Sequence, residues 1–275
     1  MFEATRQETL LKIDAVSLSF DASLILRDVN VEIKNVVRPG LSQGQVVGFL
    51  GPSGRGKTQL FRMMAGLQAP SQGQILVNQN GTLVPVEVGM VGVVDQHYTL
   101  FEHRTIGNNL MIAGSLAGLT SKDSQEKAMS LLKRFQLEDR WKSYPGQLSG
   151  GQRQRIAIVQ QLMCSRGFLL MDEPFSGLDP NMKEEACELI AEVAAMDELF
   201  TIIVITHDVA SAMKISDTLW LLGFERAADG SAIPGSRIQE EIDLVRLGLA
   251  WNQQMETAHQ FRELNSKIIE RFKTL

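Results

Sequence analysis

Residues 51–58 read Gly51-Pro52-Ser53-Gly54-Arg55-Gly56-Lys57-Thr58. Glycines at these spacings let the backbone curl until several N–H groups point at the oxygens of one phosphate. A helix beginning there adds its positive end to the same anion. Lys57 then supplies a point charge for the β and γ phosphates, and Thr58 a hydroxyl for a magnesium ion. A Gly-rich turn without chemistry is the plain alternative. The flanks argue against it. Val46-Val47-Gly48-Phe49-Leu50 before the loop is an unbroken apolar run, as suits a strand buried on both faces, and Gln59 to Leu67 after it reads as a helix. Strand, loop and helix together predict a nucleoside triphosphate site.

A second group stands far along the chain. Phe168-Leu169-Leu170-Met171 is another apolar strand, and Asp172-Glu173-Pro174 follows it. Ligands of parallel α/β sheets bind at such strand ends. Asp172 is expected to hold Mg²⁺, directly or through water, and Glu173 to orient and polarise the water that attacks the γ-phosphate. Alone, the two acids read as a solvated turn; beside a phosphate loop they read as catalytic. His207 closes a third apolar strand, Thr201 to Thr206. It is either a structural residue or, in this company, a hydrogen-bonding sensor of the γ-phosphate.

These groups need a frame that brings strand ends together. Residues 11–33 read as β from the alternation of Ile13, Val16, Leu18 and Phe20, then Val29, Val31 and Ile33. Residues 34–45, with Pro39, Gly40 and Gly44, read as a loop. Residues 73–94 contain more strands, with turns at Asn80-Gly81 and Gly89. Residues 105–166 are expected to be helical, with an apolar stripe of Ala128, Leu131, Leu132, Phe135 and Leu137. Met182 to Met196 reads as a helix and Trp220-Leu221-Leu222 as a fourth strand. The order predicts an α/β domain with a mainly parallel sheet, an N-terminal antiparallel β subdomain and an inserted helical subdomain. The expected limits are a domain over 1–224, its core 1–96 and 167–224, its helical subdomain about 97–166, and a helical extension over 225–275. In that extension Trp251, Met255, Ala258, Phe261, Leu264, Ile268 and Phe272 form one apolar helical face. It either packs on the domain or serves as a docking surface.

Composition narrows the function. The chain has 275 residues, 44% of them hydrophobic and 21% charged, so a folded domain is expected rather than disorder. A net charge of −5 argues against a protein that coats nucleic acid. Leu110 to Leu119 is the nearest approach to a spanning helix and is far short of the roughly 18–20 residues needed. The N-terminus lacks a basic stretch followed by an apolar one, so no secretory leader is expected. Two cysteines, Cys164 and Cys187, fit a reduced compartment, and the four histidines show no zinc spacing.

Leu148-Ser149-Gly150-Gly151-Gln152 connects these observations. LSGGQ between a phosphate loop and an acidic strand end resembles the signature motif of ATP-binding cassette (ABC) ATPases, which share a P-loop NTPase core. Residues 51–58 then look like Walker A, and Leu169 to Pro174 like Walker B. Gln96 resembles the Q-loop glutamine, a ligand of Mg²⁺ and nucleotide that also belongs with the catalytic set. Ser176-Gly177-Leu178-Asp179 looks like the D-loop, and Thr206-His207-Asp208 like the H-switch. Phe20 sits where the family has an adenine-stacking aromatic; an ordinary packing residue is the alternative. The likeness runs from about Leu11 to Gly223. The chain departs from the pattern in its long 34–45 stretch, in Asp95 before Gln96, and in Ile156 to Leu162 after the signature.

The resemblance implies two ATP molecules and Mg²⁺ sandwiched between two such subunits, head to tail. Ser149, Gly150, Gly151, Gln152 and Asp179 of one subunit would then complete the other's site. It also implies membrane-spanning transporter subunits, a substrate-binding protein where the system imports, and a cytoplasmic position on the inner face of the membrane. Residues 97–104, following Gln96, are the expected docking segment, or else part of the subdomain's core. The competing reading is a soluble ABC ATPase, for example in iron–sulfur assembly, and export of lipid or lipoprotein is open within the transporter reading. Glu173 and His207 together argue against a non-hydrolysing switch.

Overall fold

The computed structural model describes residues 5–21, 23–37, 43–164, 167–251 and 259–275. A six-stranded sheet forms its centre. In spatial order its strands are β10 (Arg237–Asp243), β9 (Thr218–Gly223), β3 (Gln45–Leu50), β8 (Thr201–Thr206), β7 (Phe168–Asp172) and β6 (Gly92–Val94). All neighbours are parallel except β10, which runs antiparallel to β9. Every residue of β3, β8 and β9 is buried, which is why each reads as an unbroken apolar run.

The two faces of this sheet carry different layers. Ile202 and Val204 of β8 join a core with α2 (Ile106–Leu116), α3 (Ser121–Arg134), α4 (Gly150–Cys164) and α5 (Pro180–Ala194). Ile203 and Ile205 point the other way, onto α1 (Lys57–Met64) and a four-stranded antiparallel sheet. That second sheet has the order β2 (Ser23–Val37), β1 (Thr5–Phe20), β4 (Gln72–Gln79), β5 (Thr82–Pro85). Truncating a fully buried Ile such as Ile203 to Ala in such a site removes about 2–5 kcal/mol. A third core packs α6 (Val209–Ile215) and α7 (His259–Phe272) on β9.

Two expectations are corrected. The stretch 34–45 is not a loop from its start: β2 runs on to Val37, with Asn35 and Val36 buried and Val37 paired to Thr5. Pro39 and Gly40 lie outside the described residues. The extension 225–275 is not helical throughout, because β10 lies within it. That strand carries Arg237, Glu240, Glu241 and Asp243 and buries Ile242 alone, so its polar edge character hid its alternation. The tail's apolar face packs on the domain: Phe261 and Ile268 are buried against the third core. Met255 and Ala258 of that face lie outside the described residues. Among the described residues no helix is long and apolar enough to cross a membrane.

Candidate active site

Strand register builds the site. Leu50 of β3 pairs with Thr206 of β8, Ile205 of β8 with Asp172 of β7, and Met171 of β7 with Val94 of β6. The residues next in sequence, Gly51, His207, Glu173 and Asp95-Gln96, therefore leave the same edge of the sheet side by side. This is the carboxyl edge, where parallel sheets hold ligands.

The phosphate loop joins β3 to α1. Gly56 caps α1 in a left-handed conformation (φ 82°). A Cβ there would lie 2.9 Å from Leu26 Cδ2, so β2 closes on the loop. Lys57 is 7% exposed and donates from Nζ to the carbonyls of Gly51 (2.8 Å) and Pro52 (3.2 Å). Burial depresses its pKa, while Glu173 and Asp172 act in the opposite sense. Its ammonium lies 3.9 Å from Glu173 Oε1. Pro52 is half-buried, and Ser53, Gly54 and Thr58 are exposed along the rim. Arg55 turns its side chain onto Phe224, with its guanidinium carbon 4.2 Å from the ring centroid.

Glu173 is held by β8. Its backbone is left-handed (φ 48°), a conformation that costs a non-glycine residue roughly 1–3 kcal/mol. Its N–H donates to Ile205 O at 2.8 Å, and its Oε2 accepts the Thr206 hydroxyl at 2.9 Å. His207 Nδ1 lies 3.0 and 2.9 Å from the two carboxylate oxygens. Asp172 has its pKa pushed up to about 6, by burial first and then by the charge of Glu173, against the pull of Lys57; Asp95 adds a smaller push. Asp172, the Thr58 hydroxyl and the Gln96 amide oxygen are hard oxygen donors of the kind Mg²⁺ takes. Among the described residues no cluster of three or more His, Cys, Asp or Glu could hold a metal.

Gln96 donates from Nε2 to Ser176 Oγ at 3.2 Å. Asp95, unusual by the resemblance, accepts His97 N (2.9 Å), Thr99 N (3.3 Å) and the Thr99 hydroxyl (2.6 Å), so it folds the next turn. Tyr98 donates its hydroxyl to Pro174 O at 3.2 Å, and Arg153 of α4 donates to Tyr98 O at 3.2 Å. Glu102 also pairs with Arg153. Segment 97–104 thus ties the helical subdomain to the loop after Glu173. The sequence places Ser176 in the D-loop-like run, Thr206 in the H-switch-like run and Tyr98 in the docking segment, but it does not disclose that their hydroxyls meet Gln96, Glu173 and Pro174.

The signature segment opens α4 with a capping box. Gln152 N donates to Ser149 Oγ at 3.3 Å, and Ser149 N to Gln152 Oε1 at 3.1 Å. Ser149 and Gly150 are exposed, and a Cβ at Gly151 would meet nothing within 4 Å. Asp179 caps α5, accepting Asn181 N (2.9 Å) and Met182 N (3.0 Å). Phe20 is 47% exposed at the end of β1, paired with Ser23 in the hairpin whose Ile25 and Leu26 abut Gly56.

A phosphate loop with a buried lysine at the end of a parallel-sheet strand, with an acid pair and a histidine at adjoining strand ends, defines a P-loop nucleoside triphosphatase. The family described as ABC transporter matches residues 35–176. The sulfate/thiosulfate import ATP-binding protein CysA of Synechocystis is 38% identical over 209 residues, 75% of this chain and 56% of that protein. A probable sulfate/thiosulfate import ATP-binding protein CysA of Chlorella vulgaris is 37% identical, over 76% of this chain and 86% of its own. The arginine transport ATP-binding protein ArtM of Bacillus subtilis is 32% identical, over 76% of this chain and 85% of its own. Among solved structures, cbiO1 of Clostridium perfringens superposes with a TM-score of 0.72 at 22% identity, covering 95% of this chain and 99% of that one. The chain belongs to the ABC transporter family and carries its ATP-binding, ATP-hydrolysing domain. It spans a little over half the length of the Synechocystis relative.

Proposed function

We propose that this protein energises membrane transport of a small polar solute, as one of two ATPase subunits clamped head to tail around ATP and Mg²⁺. The observation that carries the dimer is the exposed N-terminus of α4. Its glycine N–H groups and the Ser149 hydroxyl form an open anion cap on a different layer from the phosphate loop. A second copy would bring that cap, with Gln152 and Asp179, to the γ-phosphate.

Within each site Lys57 exchanges the carbonyls of Gly51 and Pro52 for phosphate oxygens, and the loop N–H groups bind the remainder. Phe20 stacks on the adenine. Asp172, Thr58 and Gln96 would hold Mg²⁺, which when bound neutralises charge on the phosphates. Glu173 orients the attacking water and accepts its proton, and His207 hydrogen-bonds the γ-phosphate.

Loss of that phosphate reaches the helical subdomain through Gln96, Ser176 and Tyr98. A groove of about 550 Å³ is lined by Val88, Phe101 and Leu116, apolar and exposed, as well as Met90 and Gln160. We assign this groove, with segment 97–104, to a helix of a membrane-spanning subunit at the inner membrane face. Leu100 of that segment is buried and belongs to the core instead. The relatives named for sulfate/thiosulfate import and for arginine transport support a small polar solute as the cargo.

Arg104 tests the docking. Glu102 is less suitable, because its pairing with Arg153 couples it to α4. Arg104→Glu is expected to keep basal ATPase activity and melting temperature while losing co-purification with the membrane subunit. A purified chain with no membrane partner and no stimulation in bilayers would favour a soluble ABC ATPase.

A further inference from the structure

The phosphate loop is tied to residues 220 positions further along the sequence. Arg55 donates from Nε to the backbone oxygen of Leu275 at 2.9 Å, and its guanidinium carbon lies over the Phe224 ring, 4.2 Å from the centroid. The Leu275 side chain is 1% exposed, packed into the core beside β9. Gly223 makes room for it: a Cβ there would lie 2.4 Å from Leu275 Cβ. Arg226 holds the preceding residue, donating from Nε to Thr274 O at 3.0 Å. The segment is thus seated by one buried side chain and two backbone acceptors.

Arg55 stands between Gly54 and Gly56, both left-handed, at φ 79° and 82°. A loop with that backbone freedom loses entropy when it closes on a phosphate, unless something already restrains it. The Arg55 side chain is such a restraint, and it leads away from the loop to Phe224 and Leu275. We propose that Leu275 and Phe224 are positioning residues for ATP binding, which act through Arg55 to hold the phosphate loop in its binding geometry. Seating of the 274–275 segment therefore raises ATP affinity, and anything that lifts it lowers that affinity. The inference rests on the loop being the ATP site.

The test is a double-mutant cycle read as the dissociation constant of a fluorescent ATP analogue, with melting temperature measured on each variant. Arg55→Ala and Leu275→Ala are each expected to weaken binding about fivefold, equivalent to roughly 1 kcal/mol. The double variant is expected to be no weaker than either single, because both break one chain of contacts. Leu275→Met, which refills the seat, restores affinity. Phe224→Leu in place of Leu275→Ala keeps the cycle readable if Leu275→Ala does not fold. Wild-type affinity in Arg55→Ala, additive losses, or a Leu275→Ala variant that melts lower but binds normally would each overturn the proposal. Absence of binding by the unaltered protein would instead refute the ATP-site assignment itself.

Discussion

Thr206 donates its hydroxyl to Glu173: Oγ1 lies 2.9 Å from Oε2, and the same oxygen lies 2.9 Å from His207 Nδ1. The carboxylate is aimed by the end of β8 rather than by its own strand. Glu173 leaves β7 in a left-handed turn, and its backbone and side chain are both anchored across the sheet, at Ile205 and Thr206. Glu173 and His207 thus form one hydrogen-bonded unit, next to the lysine of the phosphate loop.

Glu173→Gln keeps the size of the side chain and removes its basicity. It is expected to bind ATP with near wild-type affinity, lower turnover by at least about a hundredfold, and accumulate an ATP-bound dimer. Lys57→Ala should instead weaken binding itself. Titration with ATP, single-turnover rates and size-exclusion chromatography separate the two. Near-full turnover by Glu173→Gln would remove Glu173 from the role of base.

Phe20 is exposed at a hairpin end whose next strand abuts the phosphate loop. Stacking of a base on an aromatic ring is worth about 1–3 kcal/mol. Phe20→Ala is therefore expected to raise the ATP dissociation constant between about fivefold and a hundredfold, and Phe20→Tyr to leave it unchanged. Equal affinity across all three proteins means the ring is an ordinary surface residue.

Asp172 gives the nucleotide-free protein an unusual pH dependence. Its folded-state pKa is raised from 3.8 to about 6. The folded form then binds a proton more tightly than the unfolded chain does. Its contribution to stability is full below about pH 4 and is lost as pH rises through about 6. Asp172→Asn is expected to abolish this component and to raise nucleotide-free stability at pH 7–8, by roughly 1 kcal/mol once partial solvent screening is allowed for. Binding of Mg²⁺-ATP should weaken as pH falls below about 6, because a protonated Asp172 is a poor cation ligand. Thermal melts of both proteins from pH 4 to 8 check the first part. Parallel curves for the two would show that Asp172 does not titrate in that range.

The sequence by itself determined the chemistry and the layers that hold it. Glycine, lysine and carboxylate positions are set by local spacing, and strands buried on both faces must be apolar throughout, so β3, β7, β8 and β9 were legible as short runs. The helical insert showed through its apolar stripe. The tertiary structure decided what depends on neighbours remote in sequence. β10 is an edge strand whose polar residues carry little alternation, and it exists because β9 offers it a partner. The extension of β2 to Val37 depends likewise on pairing with Thr5 and Arg6. Glu102 reads as a rim charge in sequence, yet it pairs with Arg153 about fifty positions away. The same holds for Thr206 aiming Glu173, for Asp95 folding the turn after Gln96, and for Leu275 reaching Arg55. A hydrogen bond or a filled gap between distant segments leaves no periodicity in either segment; it is specified only when the fold has brought the two together.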